Sequence, residues 1–349
     1  MSGKGLVLVT GASGYIAGYC VQELLEHGYA VRGTVRSLAA TDKVAHLRAL
    51  AEQNGGSLEL VEADLADDRG WREAVAGCTH VMHVASPNPP AIPRHEDEVI
   101  RPAVEGTLRV LRASADSGSV RRVVLTSSIV AVTFGADRMT ERVHTEKDWS
   151  DPDLCPAYAK SKTLAERAAW NFVEALPQDA RLELCTINPG FVVGPLQRAE
   201  VGTSVEGIRK LLDRELPGSP RIGFATVDVR DVAVLHRLAM ERPEAAGNRY
   251  LCAGDHMWLQ DLAKILAEEF NPKGFKVPTG RLPYWLMWAI GRFDKTTRLA
   301  LDFVGRRELV TAEKAVRELG WSMRPARESI VDTGLSLLEH GMLRRSSVA

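Results

Sequence analysis

The sequence has almost no net charge. Its 44 Lys and Arg residues are balanced by 45 Asp and Glu residues, which leaves a formal charge of -1. A chain with this balance has no overall electric field that would attract nucleic acid or an anionic membrane. We therefore predict neither kind of partner, and any ligand must be recognised by local groups.

The sequence also shows no C-x-x-C pair, no long hydrophobic run and no signal-peptide pattern. None of the cysteines stands in a C-x-x-C pair, which favours a reduced compartment and argues against a zinc site. No stretch approaches the roughly 20 apolar residues of a membrane-spanning helix, and no signal-peptide pattern opens the chain. These absences predict a cytoplasmic protein without a metal site or a membrane anchor. The cysteines are Cys20, Cys78, Cys155, Cys185 and Cys252.

The composition is typical of a large globular protein. The chain has 349 residues, of which 45% are hydrophobic and 26% are charged. Over the first part of the chain, short apolar segments alternate with helical patterns. The predicted strands are 6–10, 30–35, 58–62, 79–84 and 122–126, and the predicted helices are 15–26, 44–50, 71–75 and 98–113. Strands that are apolar on both faces and alternate with helices indicate an α/β fold with a doubly wound parallel sheet, the Rossmann architecture.

The pattern loosens in the second half of the chain. A helix over 157–176 and a strand over 182–187 continue it, and 227–240 and 249–253 again look like segments of the sheet layer. We predict a Rossmann domain of residues 1–194 plus about 225–254, a smaller, non-contiguous C-terminal substrate region of 195–224 plus 255–343, and a disordered tail of 344–349.

A glycine-rich turn joins the first predicted strand to the first predicted helix. Its spacing is Gly-x-x-Gly-x-x-Ala, starting at Gly11. Glycines let the backbone approach a pyrophosphate, and a helix N-terminus supplies N–H groups for the anion. At the first strand-to-helix junction of a parallel sheet, this pattern predicts a dinucleotide site rather than an ordinary tight turn. The expected contacts are Gly11, Ser13, Gly14, Tyr15 and Ile16.

The end of the second strand favours NADP(H) as the cofactor. An NAD enzyme places an acidic residue there for the ribose 2′-hydroxyl, whereas this sequence has Arg36. A guanidinium forms bidentate bonds to a 2′-phosphate, and Lys43 adds a second cation. The alternative is that Arg36 is a solvated loop residue. Asp64, with Leu65 beside it, is placed to accept a hydrogen bond from adenine, or else is an ordinary turn aspartate.

Tyr158 and Lys162 are four residues apart on the predicted helix over 157–176. Residues at this spacing share a helix face, so the ammonium is expected to lower the pKa of the phenol from about 10. Such a phenol can donate a proton to a carbonyl oxygen while hydride reaches the carbon. The pair alone is weak evidence, because chance Tyr and Lys pairs on helices are common.

Two serines complete this candidate site. Ser127 and Ser128 follow the apolar strand over 122–126, at the edge where the cofactor is expected. A serine hydroxyl there can bind the substrate oxygen and stabilise developing negative charge. Spacing does not choose between the two. The chemistry requires no metal, and a serine hydrolase is disfavoured because the chain lacks a Gly-x-Ser-x-Gly motif.

Together these motifs resemble the extended short-chain dehydrogenases/reductases. The likeness is greatest to the dihydroflavonol reductase and cinnamoyl-CoA reductase branch, which includes microbial aldehyde and ketone reductases. It extends from residue 1 to about 255, and Lys314 with 319–321 looks like the family's C-terminal element. The motifs that carry it are 10–16, 34–36, 63–65, 83–87, 98–102, 105–107, 121–128, Tyr158 with Ser161 and Lys162, 188–189 and 192–195.

The resemblance implies roles that spacing could not assign. It selects Ser128 as the catalytic serine, and it implies transfer of the pro-S hydride of the nicotinamide. It also implies that further residues line the cofactor, with the last three beside the nicotinamide: Val84, Ala85, Ser86, Pro189, Val192 and Ser204.

The sequence departs from the plant members of this branch. Thr133 stands where flavonoid reductases carry a ring-recognising asparagine, and 156–160 lack the cinnamoyl-CoA reductase signature. Both departures argue against the plant substrates. We expect the substrate walls to come from 86–94, from 129–134 and from the C-terminal region. The aromatic stretch over 284–293 is interpreted as core or a dimer patch in preference to a lid.

The leading hypothesis is a reversible, NADPH-dependent carbonyl reductase for a moderately hydrophobic aldehyde or ketone. Tyr158 would protonate the carbonyl oxygen, Ser128 would orient it, and Lys162 would bind the nicotinamide ribose. The alternatives are a hydroxysteroid dehydrogenase, a nucleotide-sugar epimerase that retains NAD and, more remotely, an NADP sensor without catalysis. The chain is expected to be a monomer or a homodimer.

Overall fold

The computed structural model describes residues 4–87, 95–135, 141–177, 182–292 and 301–344. Helices and strands are numbered in chain order. No helix within these ranges is long and apolar enough to cross a membrane. Of the predicted tail, Arg344 is described, and its backbone N–H donates to Asp213 Oδ1 at 2.8 Å. Residues 345–349, and 88–94 of the expected substrate wall, lie outside the described residues.

A seven-stranded, fully parallel sheet forms the centre of the molecule. Its strands are β1 (Lys4–Val9), β2 (Tyr29–Val35), β3 (Leu58–Glu62), β4 (His80–His83), β5 (Arg122–Thr126), β6 (Glu183–Pro189) and β9 (Arg249–Cys252). Their order is β3-β2-β1-β4-β5-β6-β9, and each neighbouring pair is parallel. The order reverses between β1 and β4, which is where such folds bind their ligands. The predicted α/β fold with a doubly wound sheet is confirmed.

Helices cover both faces of this sheet. One face packs against α1 (Tyr15–Glu26), α2 (Thr41–Gln53) and α7 (Val229–Glu241), and the other against α3 (Trp71–Val75), α4 (Asp97–Asp116) and α5 (Ala157–Glu174). Successive residues of β1 enter different cores: Val7 and Val9 belong to the α1 side, whereas Leu8 packs on the α3 side. The central strands are mostly apolar because both of their faces are buried, as in β5, whereas the edge strand β3 carries the exposed residues Glu59 and Glu62.

A second, smaller sheet is built from later strands. It contains β7 (Phe191–Val193), β8 (Gly223–Asp228) and β10 (His256–Trp258), with β8 parallel to β7 and antiparallel to β10. The helices α6 (Thr203–Leu212), α8 (Leu259–Phe270) and α11 (Ala326–Glu339) enclose a second core, which includes Ile208, Leu266 and Phe270. The boundary expected near residue 225 falls inside β8.

The segment 227–240 is mostly helical rather than part of a sheet. Only Val227 and Asp228 lie in a strand, because the Asp228 carboxylate accepts a hydrogen bond from Arg230 N–H and caps α7. The remaining elements are α9 (Tyr284–Gly291), α10 (Glu313–Leu319) and single 3-10 turns at Ile129–Ala131, Pro152–Leu154, Pro243–Ala245, Asn271–Lys273 and Leu301–Phe303.

Candidate active site

The glycine turn after β1 lies where the strand order reverses. Gly11 has a φ of +64°, and a Cβ at this position would stand 3.0 Å from Ala85 Cβ. Only glycine suits both constraints. Ala85 follows β4, and its backbone N–H donates to Thr10 Oγ1 at 2.9 Å. The ends of β1 and β4 are therefore locked together with no room for a side chain at residue 11.

The N-terminus of α1 opens from this turn. Gly14 caps the helix without any side-chain hydrogen bond, and no acidic residue stands in the first helical turn. The unsatisfied N–H groups and the positive end of the helix dipole suit a pyrophosphate. Ser13 lies on the turn, and Tyr15 and Ile16 begin the helix. The Tyr15 hydroxyl donates to Gly194 O at 2.8 Å, so its backbone N–H is the group left for a cofactor.

The expected adenosine end of the site presents an exposed cation. Arg36 follows β2, and no residue within the described ranges pairs with its guanidinium. Lys43 is exposed on α2. Asp64 follows β3, and its Oδ1 accepts from Ala66 N–H at 2.9 Å, which is the turn contact foreseen as the alternative role. The adenine contacts of Asp64 and Leu65 stay predictions.

Tyr158 and Ser128 meet at the carboxyl edge of the sheet. Tyr158 lies in the first turn of α5, and Ser128 follows β5. Ser128 Oγ donates to Pro189 O at 3.4 Å and accepts from Val130 N–H at 3.3 Å. Tyr158 is 53% exposed, so a ligand can reach its ring. Partial removal from water nevertheless raises the pKa of Tyr158 above 10, while a hydrogen bond with Ser128 opposes the shift.

Lys162 follows Tyr158 by one helical turn. Burial lowers the pKa of Lys162 to about 8, and the negative charge of Glu166 opposes that shift. The ammonium is therefore still mostly protonated at neutral pH. The expectation that Lys162 lowers the pKa of Tyr158 below 10 is wrong for this structure, because burial of the phenol is the dominant effect.

His83 at the end of β4 lies close to Lys162. Its Nδ1 is 2.9 Å from Thr10 Oγ1. Burial, and after it the charge of Lys162, lowers the pKa of His83 to about 3, so the ring is neutral at all ordinary pH values. In the described part of the chain, no three His, Cys, Asp or Glu side chains are grouped so that they could hold a metal ion.

The two candidate serines have different partners. Ser127 Oγ donates a hydrogen bond to Glu166 Oε2 at 2.5 Å, whereas the Ser128 side chain is hydrogen-bonded to that of Tyr158. Sequence reasoning missed Glu166 and its buried partner Arg249, whose Nε lies 2.7 Å from Glu166 Oε1. One signal could have found the pair. Glu166 stands four residues after Lys162 on the buried face of α5, where a carboxylate is rare unless it is paired.

The expected neighbours of the nicotinamide lie along β6 and β7. Pro189 ends β6, and Val192 is the middle residue of β7. Ser204 Oγ donates to Val192 O at 2.5 Å, so this hydroxyl is engaged within the protein. Val84 and Ser86 flank Ala85 after β4, and Ser86 is exposed. Val84, Ser86 and Pro189 therefore lie at the carboxyl edge of the seven-stranded sheet, and Val192 and Ser204 belong to the adjoining β7 and α6.

Buried polar groups mark the expected substrate side. Thr133 is 5% exposed, and its Oγ1 has no hydrogen-bond partner within the described ranges. Arg306 donates to the Thr133 carbonyl and stacks on Phe134, with its guanidinium carbon 3.4 Å from the ring centroid. Burial raises the pKa of Glu308 to about 7, against the lowering effects of a hydrogen bond from Ala225 N–H and the charge of Arg306.

The aromatic stretch over 284–293 is largely exposed. Tyr284, Trp285 and Trp288 of α9 expose half or more of their surface, and Trp285 reaches 67%. The interpretation as core is wrong for these three rings, because α9 buries Met287 and leaves the rings on its outer side. Phe293 lies outside the described residues. The dimer patch and the lid stay predictions.

Comparisons with known proteins agree with this geometry. The profile of the NAD dependent epimerase/dehydratase family matches residues 7–253. The chain is 38% identical to cinnamoyl-CoA reductase 1 of Petunia hybrida over 342 residues, which are 97% of this chain and 93% of that protein. It is 35% identical to tetraketide alpha-pyrone reductase 1 of Arabidopsis thaliana over 347 residues, which are 97% of each protein.

Solved structures show the same likeness. Yeast methylglyoxal/isovaleraldehyde reductase Gre2 complexed with NADPH matches with a TM-score of 0.79 at 29% identity, over 97% of this chain and 99% of that one. Vestitone reductase from alfalfa matches with a TM-score of 0.75 at 27% identity, over 97% of this chain and 100% of that one. The chain therefore belongs to the NAD-dependent epimerase/dehydratase family, within the extended short-chain dehydrogenases/reductases, and is an oxidoreductase.

Proposed function

We propose that the protein is an NADPH-dependent carbonyl reductase, reversible as an alcohol dehydrogenase, that acts on a moderately hydrophobic aldehyde or ketone. The observation that carries this proposal is the joint placement of Ser128, Tyr158 and Lys162 at the carboxyl edge of the sheet, beside the glycine turn after β1. A proton donor, an oxygen-binding hydroxyl and a cation are thereby assembled next to a dinucleotide site.

NADPH supplies a hydride when it is bound. The glycine turn and the free N-terminus of α1 fit its pyrophosphate. The exposed guanidinium of Arg36, which has no partner among the described residues, fits its 2′-phosphate. The yeast relative in complex with NADPH supports this choice. The residues assigned to the cofactor are Gly11, Ser13, Gly14, Tyr15, Ile16, Arg36, Lys43, Asp64, Leu65, Val84, Ala85, Ser86, Tyr158, Lys162, Pro189, Val192 and Ser204.

Proton transfer depends on three side chains. Because its pKa is raised above 10, Tyr158 holds its proton at neutral pH and can donate it from the phenol oxygen to the carbonyl oxygen of the substrate. Ser128 Oγ binds the same carbonyl oxygen and stabilises its developing negative charge. Lys162 holds the nicotinamide ribose, and its ammonium stabilises the phenolate that remains after transfer.

An apolar substrate fits the surroundings of Tyr158. Phe134 and Phe303 pack edge to face with ring centroids 6.0 Å apart. They belong to one apolar cluster with Ala159, the residue after Tyr158. The substrate side of the cleft is assigned to residues 195–224 and 255–343, together with 129–134.

The test is oxidation of NADPH with a panel of aldehydes, α-ketoesters, aryl ketones and diketones, with NADH run in parallel. Tyr158→Phe should lower kcat by about 1,000-fold, because it removes the proton donor, while the Kd for NADPH stays close to that of the wild type. Tyr29→Phe is the control, since the Tyr29 hydroxyl bonds to Glu241 away from the cleft and should leave kcat unchanged. Full activity of Tyr158→Phe with every active substrate would refute the mechanism, and a preference for NADH would refute the cofactor assignment.

A further inference from the structure

A fully engaged carboxylate lies one helical turn after Lys162. The side chain of Glu166 has no exposed surface, and an ionised carboxylate offers about four acceptor sites on its two oxygens. The donors that converge on it are Ser127 Oγ at 2.5 Å, Arg249 Nε at 2.7 Å, Asn188 Nδ2 at 2.8 Å, Thr186 Oγ1 at 3.1 Å and Trp170 Nε1 at 3.4 Å. This donor set suits a permanent negative charge and occupies the acceptor sites of Glu166.

Arg249 of β9 balances that charge. Its Nη1 donates to the carbonyl oxygens of Glu146 and Asp148, both at 2.8 Å, and its guanidinium carbon lies 3.7 Å from the ring centroid of Trp149. A buried ion pair of this kind adds little net stability compared with well-packed apolar residues, because both charges must be desolvated. Stability alone therefore does not explain an ion pair at this place.

The same carboxylate shares a cavity with Lys162 and is linked to Ser128 through Asn188. Lys162 and Glu166 line one cavity of about 10 Å³, and they are the two charged side chains that line it in the described part of the chain. Asn188 Nδ2, which donates to Glu166, also donates to the backbone oxygen of Ser128 at 3.1 Å. Glu166 thus reaches the lysine through its charge and the serine through Asn188.

We propose that Glu166 is a positioning residue of the reductase, which keeps Lys162 protonated through its buried negative charge and fixes the backbone of Ser128 through Asn188. The proposal rests on the proposed function for its kinetic consequence. Its electrostatic part, the effect of the Glu166 charge on Lys162, involves only the protein and can be measured without a substrate. Arg249 has the supporting task of balancing the charge of the Glu166 carboxylate and holding it in place.

In the described part of the chain, few titratable groups lie near Lys162, which makes this testable. On α5 they are Tyr158 and Glu166, and on β4 it is His83. The residues of α4 and β5 that line the shared cavity, Ala103, Thr107, Leu125, Thr126 and Ser127, carry no charge. Because the pKa of His83 is about 3 and that of Tyr158 lies above 10, neither residue titrates between pH 6 and 9. Glu308, whose pKa is about 7, also titrates in that interval, so the part of the pH profile that Glu166→Gln displaces is the part that reports Lys162, whose pKa is about 8.

The experiment is the pH dependence of NADPH-dependent reduction by Glu166→Gln in the full-length protein. The neutral side chain keeps the size of Glu166 but removes the charge that opposes deprotonation of Lys162. We expect the alkaline limb of the plot of kcat against pH to shift to lower pH by about one unit. At pH 8, kcat should therefore fall about fivefold relative to the wild type. The Kd for NADPH at pH 6.5, where Lys162 is protonated in both proteins, should change by less than about twofold.

Thr186→Val is the matched control. It removes one hydrogen bond to Glu166 and keeps the charge, so kcat falls modestly while the alkaline limb stays within about 0.2 pH unit of the wild type. A limb that moves equally in both variants, or in neither, would overturn the proposal and leave Glu166 as a structural residue. If Glu166→Gln does not fold, the double variant Glu166→Gln with Arg249→Met removes the pair together and should show the same displaced limb.

A second readout separates this proposal from the proposed function. Lysine labelled with ¹³C at Cε allows Lys162 to be titrated by NMR in the full-length protein, with the Lys162→Met variant identifying its signal. A titration that moves to lower pH in Glu166→Gln supports the electrostatic role even if no carbonyl substrate is turned over. An unchanged titration refutes that role even if the enzyme is an active reductase.

Discussion

The half of the molecule that is proposed to bind the cofactor (the cofactor half) and the half that is proposed to bind the substrate (the substrate half) are built differently. In the first, β1 to β5 all lie within residues 4–126, and each crossover returns through a nearby helix. In the second, one small sheet joins 191–193, 223–228 and 256–258, and its core is completed by α11 at 326–339. Local alternation of apolar segments encodes the first half, whereas the second depends on contacts between distant segments.

The two halves also differ in what they offer a ligand. The cofactor half presents backbone N–H groups at a glycine turn and one exposed guanidinium at Arg36. The substrate half buries side chains that are charged or able to form hydrogen bonds, among them Thr133, Arg306 and Glu308. A ligand that binds to backbone N–H groups requires a fixed backbone conformation, whereas binding by side chains can be altered by single substitutions. Substitutions in the two halves should therefore affect different properties, namely cofactor affinity in the first and pH-dependent stability in the second.

Of three substitutions that compare the two halves, Gly11→Ala in the cofactor half is expected to have the largest effect. A side chain at a φ of +64° costs about 1–2 kcal/mol, and its Cβ would press on Ala85. We expect the Kd for NADPH to rise by at least about 100-fold, measured by fluorescence titration. Gly28→Ala is the control, because Gly28 has a φ of +76° with nothing within 4 Å of a new Cβ. It should lose similar stability and bind NADPH normally. Equal affinities in the two variants would contradict the role of the Gly11 and Ala85 contact.

A pH-dependent stability effect is expected from Glu308→Gln in the substrate half. The pKa of Glu308 is raised to about 7 in the folded protein, from about 4.5 when unfolded. A raised carboxyl pKa means that the folded state loses stability as pH rises from about 4.5 to 7, and the penalty then stays constant. The neutral amide removes a penalty of up to roughly 3 kcal/mol at pH 8 and almost none at pH 4. Chemical denaturation at both pH values measures this difference.

The NADPH affinity of the Glu308→Gln variant should equal that of the wild type, because Glu308 lies in the substrate half. A gain in stability that is the same at both pH values would show that the carboxyl is not held neutral by burial.

The smallest effect of the three is expected from Arg36→Ala, which removes a single exposed contact. NADPH affinity should fall about 10- to 100-fold and NADH affinity should change little, because only the 2′-phosphate loses its partner. Lys43→Ala should give a weaker loss of the same kind. The ratio of kcat/KM for the two cofactors measures the change. An equal loss with NADPH and NADH would place Arg36 at another part of the cofactor or make it structural.

Much of the cofactor half could be predicted from sequence. The five predicted strands correspond to β1 through β5 within a few residues, and the fold class, the family and the oxidoreductase class are confirmed. Tyr158 and Lys162 do lie on one helix, as their spacing required. These features are local, because helix and strand periodicity and glycine turns depend on neighbouring residues.

The rest could not be predicted because it depends on burial. The expected lowering of the Tyr158 pKa by Lys162 ignored the desolvation of the phenol, which is a property of the folded cleft. The exposed rings of α9 were interpreted partly as core, since composition does not show which side of a short helix faces outward.

The sequence by itself determined the doubly wound sheet, the glycine turn, and the spacing of Tyr158 from Lys162. Only the tertiary structure decided how the two serines differ and which charge stands beside the lysine. Apart from Trp170 on the same helix, the partners of Glu166 come from the end of β5, from β6 and from β9, and no pattern within one segment records that they meet. Periodicity reports which residues are buried, but the hydrogen bonds among buried polar groups are set by the packing of distant strands.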